Sequence, residues 1–270
     1  VRAQDRAVID GLGVPGRVLM EVAGRGIAAS IHRQWPEAAV CVACGPGNNG
    51  GDGYVVARWL RLWGHDARVW PVVPPRSADC GANAELCDAA GVRVVGGPGD
   101  AAVLVDALLG TGQDRPPSGA IGAAVQALAD SGRPVVAVDL PTGVHADTGQ
   151  RLGAVAPATR TITLGRWKPG LLQAPGRDLA GVVELVDIGL DLAPPPAAGA
   201  DAWIVEAADV RHWLPADGAS DAKWDRGHVA VRAGGGAAVL AAHGAFRGRP
   251  GLVTLLVPRD EWTRLHGLWP

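Results

Sequence analysis

Lysine is nearly missing from this 270-residue chain. It stands only at Lys168 and Lys223, so 23 of the 25 basic residues are arginine. With glycine and alanine abundant, that imbalance marks a GC-rich coding bias rather than a functional signature. Excess charge of either sign is also lacking: 25 basic against 27 acidic residues leave a net charge of -2. A broad nucleic-acid or anionic-membrane surface is therefore not expected, although a local basic site is allowed. No apolar run reaches the ~18–20 residues of a membrane span. No charged and apolar leader precedes Val1, so no secretory signal is expected. The chain opens as if inside a helix, which suggests that a piece precedes it. What is present is enough apolar material, 48% of residues against 19% charged, to bury a core, and disorder throughout is excluded.

Cysteine is sparse too: Cys41, Cys44, Cys80 and Cys87. Cys41-Val-Ala-Cys44 has metal-like spacing, but no second pair follows. The run 39–44 is short, apolar and bounded by glycine, which reads as a buried strand. Positions i and i+3 of a strand face opposite sides, so the two sulfurs should diverge. All four are expected as reduced thiols in a cytoplasmic protein.

Strand and helix patterns alternate along most of the chain. A helix is expected over 3–35, with Leu19, Val22, Ala23 and Gly26 on one face. Strands are expected at 38–44, 67–73, 92–95, 103–107, 135–139, 159–164 and 182–186. Helices are expected at 52–63, 78–90 and 119–129. This alternation predicts an α/β fold with three α-β-α layers, Rossmann-like, around a mainly parallel sheet. Ligands of such sheets bind beyond the carboxyl ends of the strands. Residues 193–200, rich in proline and alanine, read as a linker. The first domain is thus 1–192. Residues 201–270, with strands at 228–232 and 252–257 around a helix at 237–246, form an incomplete α/β fragment.

The most informative stretch is Gly45-Pro-Gly-Asn-Asn-Gly-Gly-Asp-Gly53. Five glycines in nine residues follow a buried strand and open a helix. Such a loop brings backbone N–H groups close to a phosphate or ribose at the positive end of a helix. It lacks the G-K-[ST] of a P-loop. With the helix expected to start only at Asp52, it also departs from G-x-G-x-x-G. Asp52 alone could be an N-cap and the asparagines turn formers, which leaves the glycines unexplained. Asp106 and Asp139 each end a strand, where a carboxylate points into the crevice. Singly, Asp106 could cap the turn at Gly110 and Asp139 could form an Asp-x-Pro turn. A second loop, Gly110-Thr-Gly-Gln-Asp-Arg-Pro116, offers backbone donors and Arg115 to a phosphate. The seven histidines are scattered without metal-ligand spacing, and His32, His65 and His145 read as surface or loop residues.

Four ordered motifs in residues 1 to about 190 resemble the NAD(P)H-hydrate epimerases. They are Asn48-Asn-Gly-Gly-Asp-Gly53, Leu19-Met-Glu21 with Ala23-Gly24, Val105-Asp-Ala-Leu-Leu-Gly-Thr-Gly112 and Val138-Asp-Leu-Pro-Thr-Gly143. Thr163-Leu-Gly with Lys168-Pro-Gly170 also agrees, and Val22 departs from the family's usual polar residue. The resemblance implies epimerisation of hydrated NADH and NADPH. It implies substrate binding by Asn48, Asn49, Gly50, Gly51, Asp52, Gly110, Thr111, Gly112, Gln113, Asp114, Arg115, Pro116 and Asp139. It further implies potassium at Asn49, Asp106 and Thr142, oxygen donors of the kind hard cations prefer. A homodimer through the N-terminal helices is implied as well. Asp139 is the candidate acid–base residue, and Asp52 or Asp106 could serve instead. Gly227-His-Val-Ala-Val, Gly234-Gly-Gly and Gly251-Leu-Val-Thr-Leu resemble the start of the ADP-dependent NAD(P)H-hydrate dehydratase domain, as a truncated piece or degenerate remnant. No dehydratase activity is expected of it.

Two other readings remain at this level. One is a non-catalytic nucleotide-binding or scaffold module on the same fold. The other is a Rossmann dehydrogenase, with Asp66 as the acidic residue ~20 positions after the glycines.

Overall fold

The computed structural model describes residues 2–193, 203–214, 218 and 220–263. It divides into two compact units, Val1–Gly199 and Ala200–Pro270. Seven parallel strands form the sheet of the first unit: β1 (Val40–Cys44), β2 (Ala67–Pro71), β3 (Arg93–Val94), β4 (Val103–Ala107), β5 (Val135–Val138), β6 (Arg160–Leu164) and β7 (Val182–Val186). Their order is β3-β2-β1-β4-β5-β6-β7. The helices are α1 (Arg2–Arg6), α2 (Gly16–Gln34), α3 (Asn48–Leu62), α4 (Ala78–Ala89), α5 (Gly119–Ala129) and α6 (Gly176–Ala180).

A sheet buried on both faces needs apolar residues at consecutive positions, and β1 and β4 are buried at every residue. Alternation then sorts the side chains. Val40, Val42 and Cys44 join the larger core with Ile27, Ile31 and Leu60 from α2 and α3. Cys41 and Ala43 join the opposite core with Ala124, Val125 and Leu128 from α5. The sulfurs of Cys41 and Cys44 therefore diverge as the period-2 argument requires. All four cysteines are free and buried.

Three local expectations fail. The helix expected over 3–35 is broken: a π-turn at Ala7–Gly11 follows α1, and α2 starts only at Gly16. Gly13 in the left-handed region and Pro15 at the N-cap enforce the break. The buried face of α2 is Leu19, Met20, Ala23, Gly24, Ile27, Ala28 and Ile31, whereas Val22 is exposed. The helix expected at 52 starts at Asn48, with Gly47 as its N-cap. Several strands are also shorter than expected, among them β1, β2 and β5.

The second unit contains α7 (Ala207–Trp213), β8 (His228–Arg232), α8 (Gly235–Arg247) and β9 (Leu252–Leu256). The two strands pair in parallel across the helix, one β-α-β unit. Most of the stretch read as a linker, 194–200, lies outside the described residues.

Candidate active site

The chain runs from β1 outward to β2 and β3, then crosses back to β4 on the other side of β1. The loops after β1 and β4 consequently part, and a crevice opens at the carboxyl ends of the strands. A cavity of about 920 Å³ fills it, and its walls include Asn48, Asn49, Asp52, Gly110 to Pro116, Asp139 and Lys168. Gly50 and Gly51 sit behind that wall, and Asp106 and Thr142 lie beneath it in the fold.

Because α3 begins at Asn48, Gly45, Gly47 and Gly50 fall at the positions of G-x-G-x-x-G after all. The departure expected from the sequence came from placing the helix start four residues late. Gly50 and Gly51 are helical and buried, and their work is close packing. A Cβ on Gly50 would stand 2.0 Å from the carbonyl oxygen of Gly45. One on Gly51 would stand 2.5 Å from Met20 Sδ on α2. Asp52 is therefore no N-cap but a buried residue in the second turn of α3. The dehydrogenase reading fails at Asp66 rather than at the glycines. Asp66 precedes β2, at the end away from the crevice, and pairs with Arg68 and Arg93.

Asp106 is fully buried in β4. Its Oδ2 accepts from the Thr142 backbone N–H at 2.8 Å, and its Oδ1 accepts from the Thr142 hydroxyl at 2.7 Å and from Leu108 N–H at 3.2 Å. Burial raises its pKa above the ordinary carboxylate value, and those three donors only partly offset the rise. The Asn49 side chain packs on the second loop: a Cβ on Gly110 would lie 3.2 Å from Asn49 Oδ1. Asn49 Nδ2 is buried without a hydrogen-bond partner.

Asp139 follows β5 with φ +67°, an uncommon conformation for any residue but glycine and a form of local strain. Its Oδ1 accepts from Lys168 Nζ, from Leu164 N–H at 3.1 Å and from the Thr163 hydroxyl at 3.4 Å. Lys168 is 2% exposed and also donates to the Leu164 carbonyl at 2.7 Å. Asp52 lines the same crevice. Burial lifts its pKa well above the carboxylate range, the nearby Asp139 and Asp5 carboxylates add to the rise, and Lys168 opposes it. Asp5, from α1, is a further crevice residue.

The second loop is less uniform than its sequence suggests. Gln113 is turned inward: its Oε1 accepts from Gly143 N–H at 2.6 Å, and its amide donates to the carbonyls of Leu109 and Gly110. Asp114 and Arg115 are exposed on the crevice rim and lie 3.8 Å apart. His65 lies in the loop between α3 and β2 but is not at the surface. It is buried between the Ala38 carbonyl and His32, each 2.9 Å away.

Sequence reasoning assigned Lys168 no role. The signal that could have found it is its rarity: one of two lysines in an arginine-rich chain, inside a motif already noted.

Fold and site together define a doubly wound, Rossmann-like α/β protein with its site at the topological switch point. The chain belongs to the family described as "YjeF-related protein N-terminus", matched over residues 16–170. A bifunctional NAD(P)H-hydrate repair enzyme of Thermanaerovibrio acidaminovorans is 36% identical over 99% of this chain and 55% of that protein. An NAD(P)H-hydrate epimerase of Limosilactobacillus fermentum is 35% identical over 69% of this chain and 93% of that protein. The crystal structure of yeast Ynu0, YNL200c, superposes with a TM-score of 0.58 at 27% identity, covering 63% of this chain and 79% of that one. The chain spans about half the length of the bifunctional relatives it matches.

Proposed function

We propose that the first unit interconverts the R and S epimers of hydrated NADH and NADPH. The observation that carries this reading is the meeting of Asp52, Asp139 and Lys168 in one crevice whose wall is a glycine loop at a helix N-terminus. That wall suits the phosphates of a dinucleotide, and the carboxyls suit proton transfer at its reactive ring. The substrate carbon that bears the hydroxyl also bears the ring nitrogen. Protonation of the hydroxyl lets the C–O bond break, water leaves, and the nitrogen lone pair forms a planar iminium. Water then adds to either face and gives up a proton, which restores the hydrate in either configuration. No electrons leave the substrate, so the nucleotide is substrate and not cofactor. Asp139 is the acid–base candidate, with the binding residues those named from the resemblance.

Asn49, Asp106 and Thr142 fit a monovalent cation, potassium in this reading. Asp106 is a buried carboxylate whose donors are all neutral, and the Asn49 side-chain oxygen lies against the second loop beside Gly110. Bound there, the ion would neutralise Asp106 and hold the loops together. Two further parts of the reading concern assembly and location. The exposed Leu12, Val18 and Val22 favour a homodimer through the N-terminal helices. The free buried thiols favour the cytoplasm. Among the described residues no helix is long and apolar enough to cross a membrane. The domains follow as 1–192 for epimerisation, the 193–200 linker, and 201–270 as the start of a dehydratase-like domain without activity of its own.

The test is chromatography of a mixture enriched in one hydrate epimer. Wild-type protein should speed interconversion well above the spontaneous rate, and Asp139→Asn should lower the enzymatic rate by ~10² or more with nucleotide binding retained. A wild type no faster than buffer would favour the non-catalytic binding module.

A further inference from the structure

Two carboxyl groups share the crevice, and their surroundings differ. Asp139 lies against an ammonium. All three of its donors, from Lys168, Leu164 and Thr163, reach the same oxygen, Oδ1. Among the described residues none is found on Oδ2, so one oxygen is anchored and the other is left to work. Asp52 comes from a different wall, the second turn of α3, and among the described residues it has no ion pair of its own.

We propose that Asp52 is a second catalytic carboxyl, the acid to Asp139 as base, and that Lys168 is the positioning residue that assigns those roles. This rests on the epimerase reading and deepens it. Epimerisation through a planar iminium removes a hydroxyl and returns one, and the two events can occur on opposite faces. Two groups in opposite protonation states serve that sequence without a group that must change sides. Asp52 gives its proton to the departing hydroxyl as the C–O bond breaks. Asp139 Oδ2 takes a proton from the water that forms the new C–O bond. The proton count is closed once Asp139 returns its proton to Asp52 through solvent or the released water. The reverse reaction uses the same groups in exchanged order.

The environments support this division. Pairs of titrating groups whose surroundings push them apart mark acid and base assignments. Asp52 is buried in the second turn of α3 without an ion pair, and that burial disfavours its charged form, with Asp139 and Asp5 adding to the effect and Lys168 opposing it. The charged groups facing the pair are Asp5 from α1 and Lys168 from the loop after β6.

Lysine, specifically, suits the second role. In a chain that uses arginine for 23 of 25 cations, a lysine at this buried position is the exception. A guanidinium is a planar fork with five donors, bulkier than the ammonium that this buried position holds. The compact ammonium can meet Asp139 Oδ1 and the Leu164 carbonyl together.

Epimer interconversion measured against pH for wild type, Asp52→Asn, Asp139→Asn, Lys168→Arg and Lys168→Met tests the proposal. Wild type should give a bell-shaped kcat/KM profile. Asp52→Asn should lower kcat by ~10² and erase the alkaline limb, because the acid that must stay protonated is gone. Asp139→Asn should also lower kcat by ~10². Lys168→Met removes the ammonium that anchors Asp139 Oδ1 and should lower kcat at least tenfold with KM within threefold. Lys168→Arg retains the charge and should keep the fold by circular dichroism, yet lose at least tenfold in kcat with KM within threefold. An active wild type whose Asp52→Asn variant keeps both limbs and a kcat within threefold overturns the acid assignment. Lys168→Arg at wild-type kcat overturns the positioning role. An inactive wild type takes down the epimerase reading and this proposal with it.

Discussion

Thr142 donates twice to Asp106, through its backbone N–H at 2.8 Å and its hydroxyl at 2.7 Å. The hydroxyl also accepts from Leu109 N–H at 3.1 Å. One threonine thus ties the turn after β5 to β4 and to the start of the second glycine loop. Thr142→Val keeps the shape, removes one donor from a buried carboxylate and orphans a backbone N–H. Unfolding in urea should show a loss of about 1–3 kcal/mol. Potassium added to a potassium-free buffer should raise the melting temperature of the wild type, because a ligand of the folded state stabilises it. In Asp106→Asn that rise should vanish, and a persistent rise would move the cation elsewhere.

Gly50 and Gly51 differ in what blocks a side chain. The Cβ of Gly50→Ala would strike backbone, 2.0 Å from Gly45 O, whereas that of Gly51→Ala meets the flexible end of Met20. Overpacking costs roughly 1–3 kcal/mol. Gly50→Ala should sit at or above the top of that range and Gly51→Ala near the bottom. Equal urea midpoints for the two variants would show that the first loop is free to shift.

Asp52 should make stability depend on pH in a direction opposite to a salt-bridged aspartate. Its pKa is raised in the folded state, so the unfolded chain releases its proton first. The stability this group contributes is complete below the ordinary carboxylate pKa. It is lost as pH climbs through the raised folded value. Asp52→Asn cannot ionise, so at pH 8 it should be more stable than wild type while being less active. Denaturation at pH 5 and pH 8 measures the difference, and an Asn variant less stable at pH 8 would contradict a buried, neutral Asp52.

Among the described residues, those lining the crevice run no further along the chain than Ile188. A chain ended after Leu192 should therefore keep epimer interconversion at the full-length rate. Loss of activity with the circular-dichroism spectrum retained would show that the second unit completes the site.

Much of this molecule was legible in one dimension, for identifiable reasons. Consecutive apolar runs such as Val40 to Cys44 and Val135 to Val138 read as strands buried on both faces, and helical stretches between strands favour parallel pairing. Asp139, just past the end of β5, falls in the crevice by topology alone, whereas Asp106, one residue inside β4, is buried beneath it. The start of α3 was misplaced because helix propensity counts Asn48, Asn49, Gly50 and Gly51 as breakers. In the fold, glycine is the one residue that lets α3 lie against Gly45 and Met20, and packing overrides propensity.

The sequence by itself determined the layers, the strand succession and the two glycine loops that flank the crevice, because periodicity and chain order carry that information. Tertiary structure alone decided which oxygens meet which donors. Lys168 lies 29 residues from Asp139, and only the pairing of β5 with β6 brings its ammonium to Oδ1. The same holds for the different surroundings of Asp52 and Asp139. Burial, the left-handed backbone at Asp139 and the nearest charge are properties of the folded volume, and no spacing along the chain encodes them.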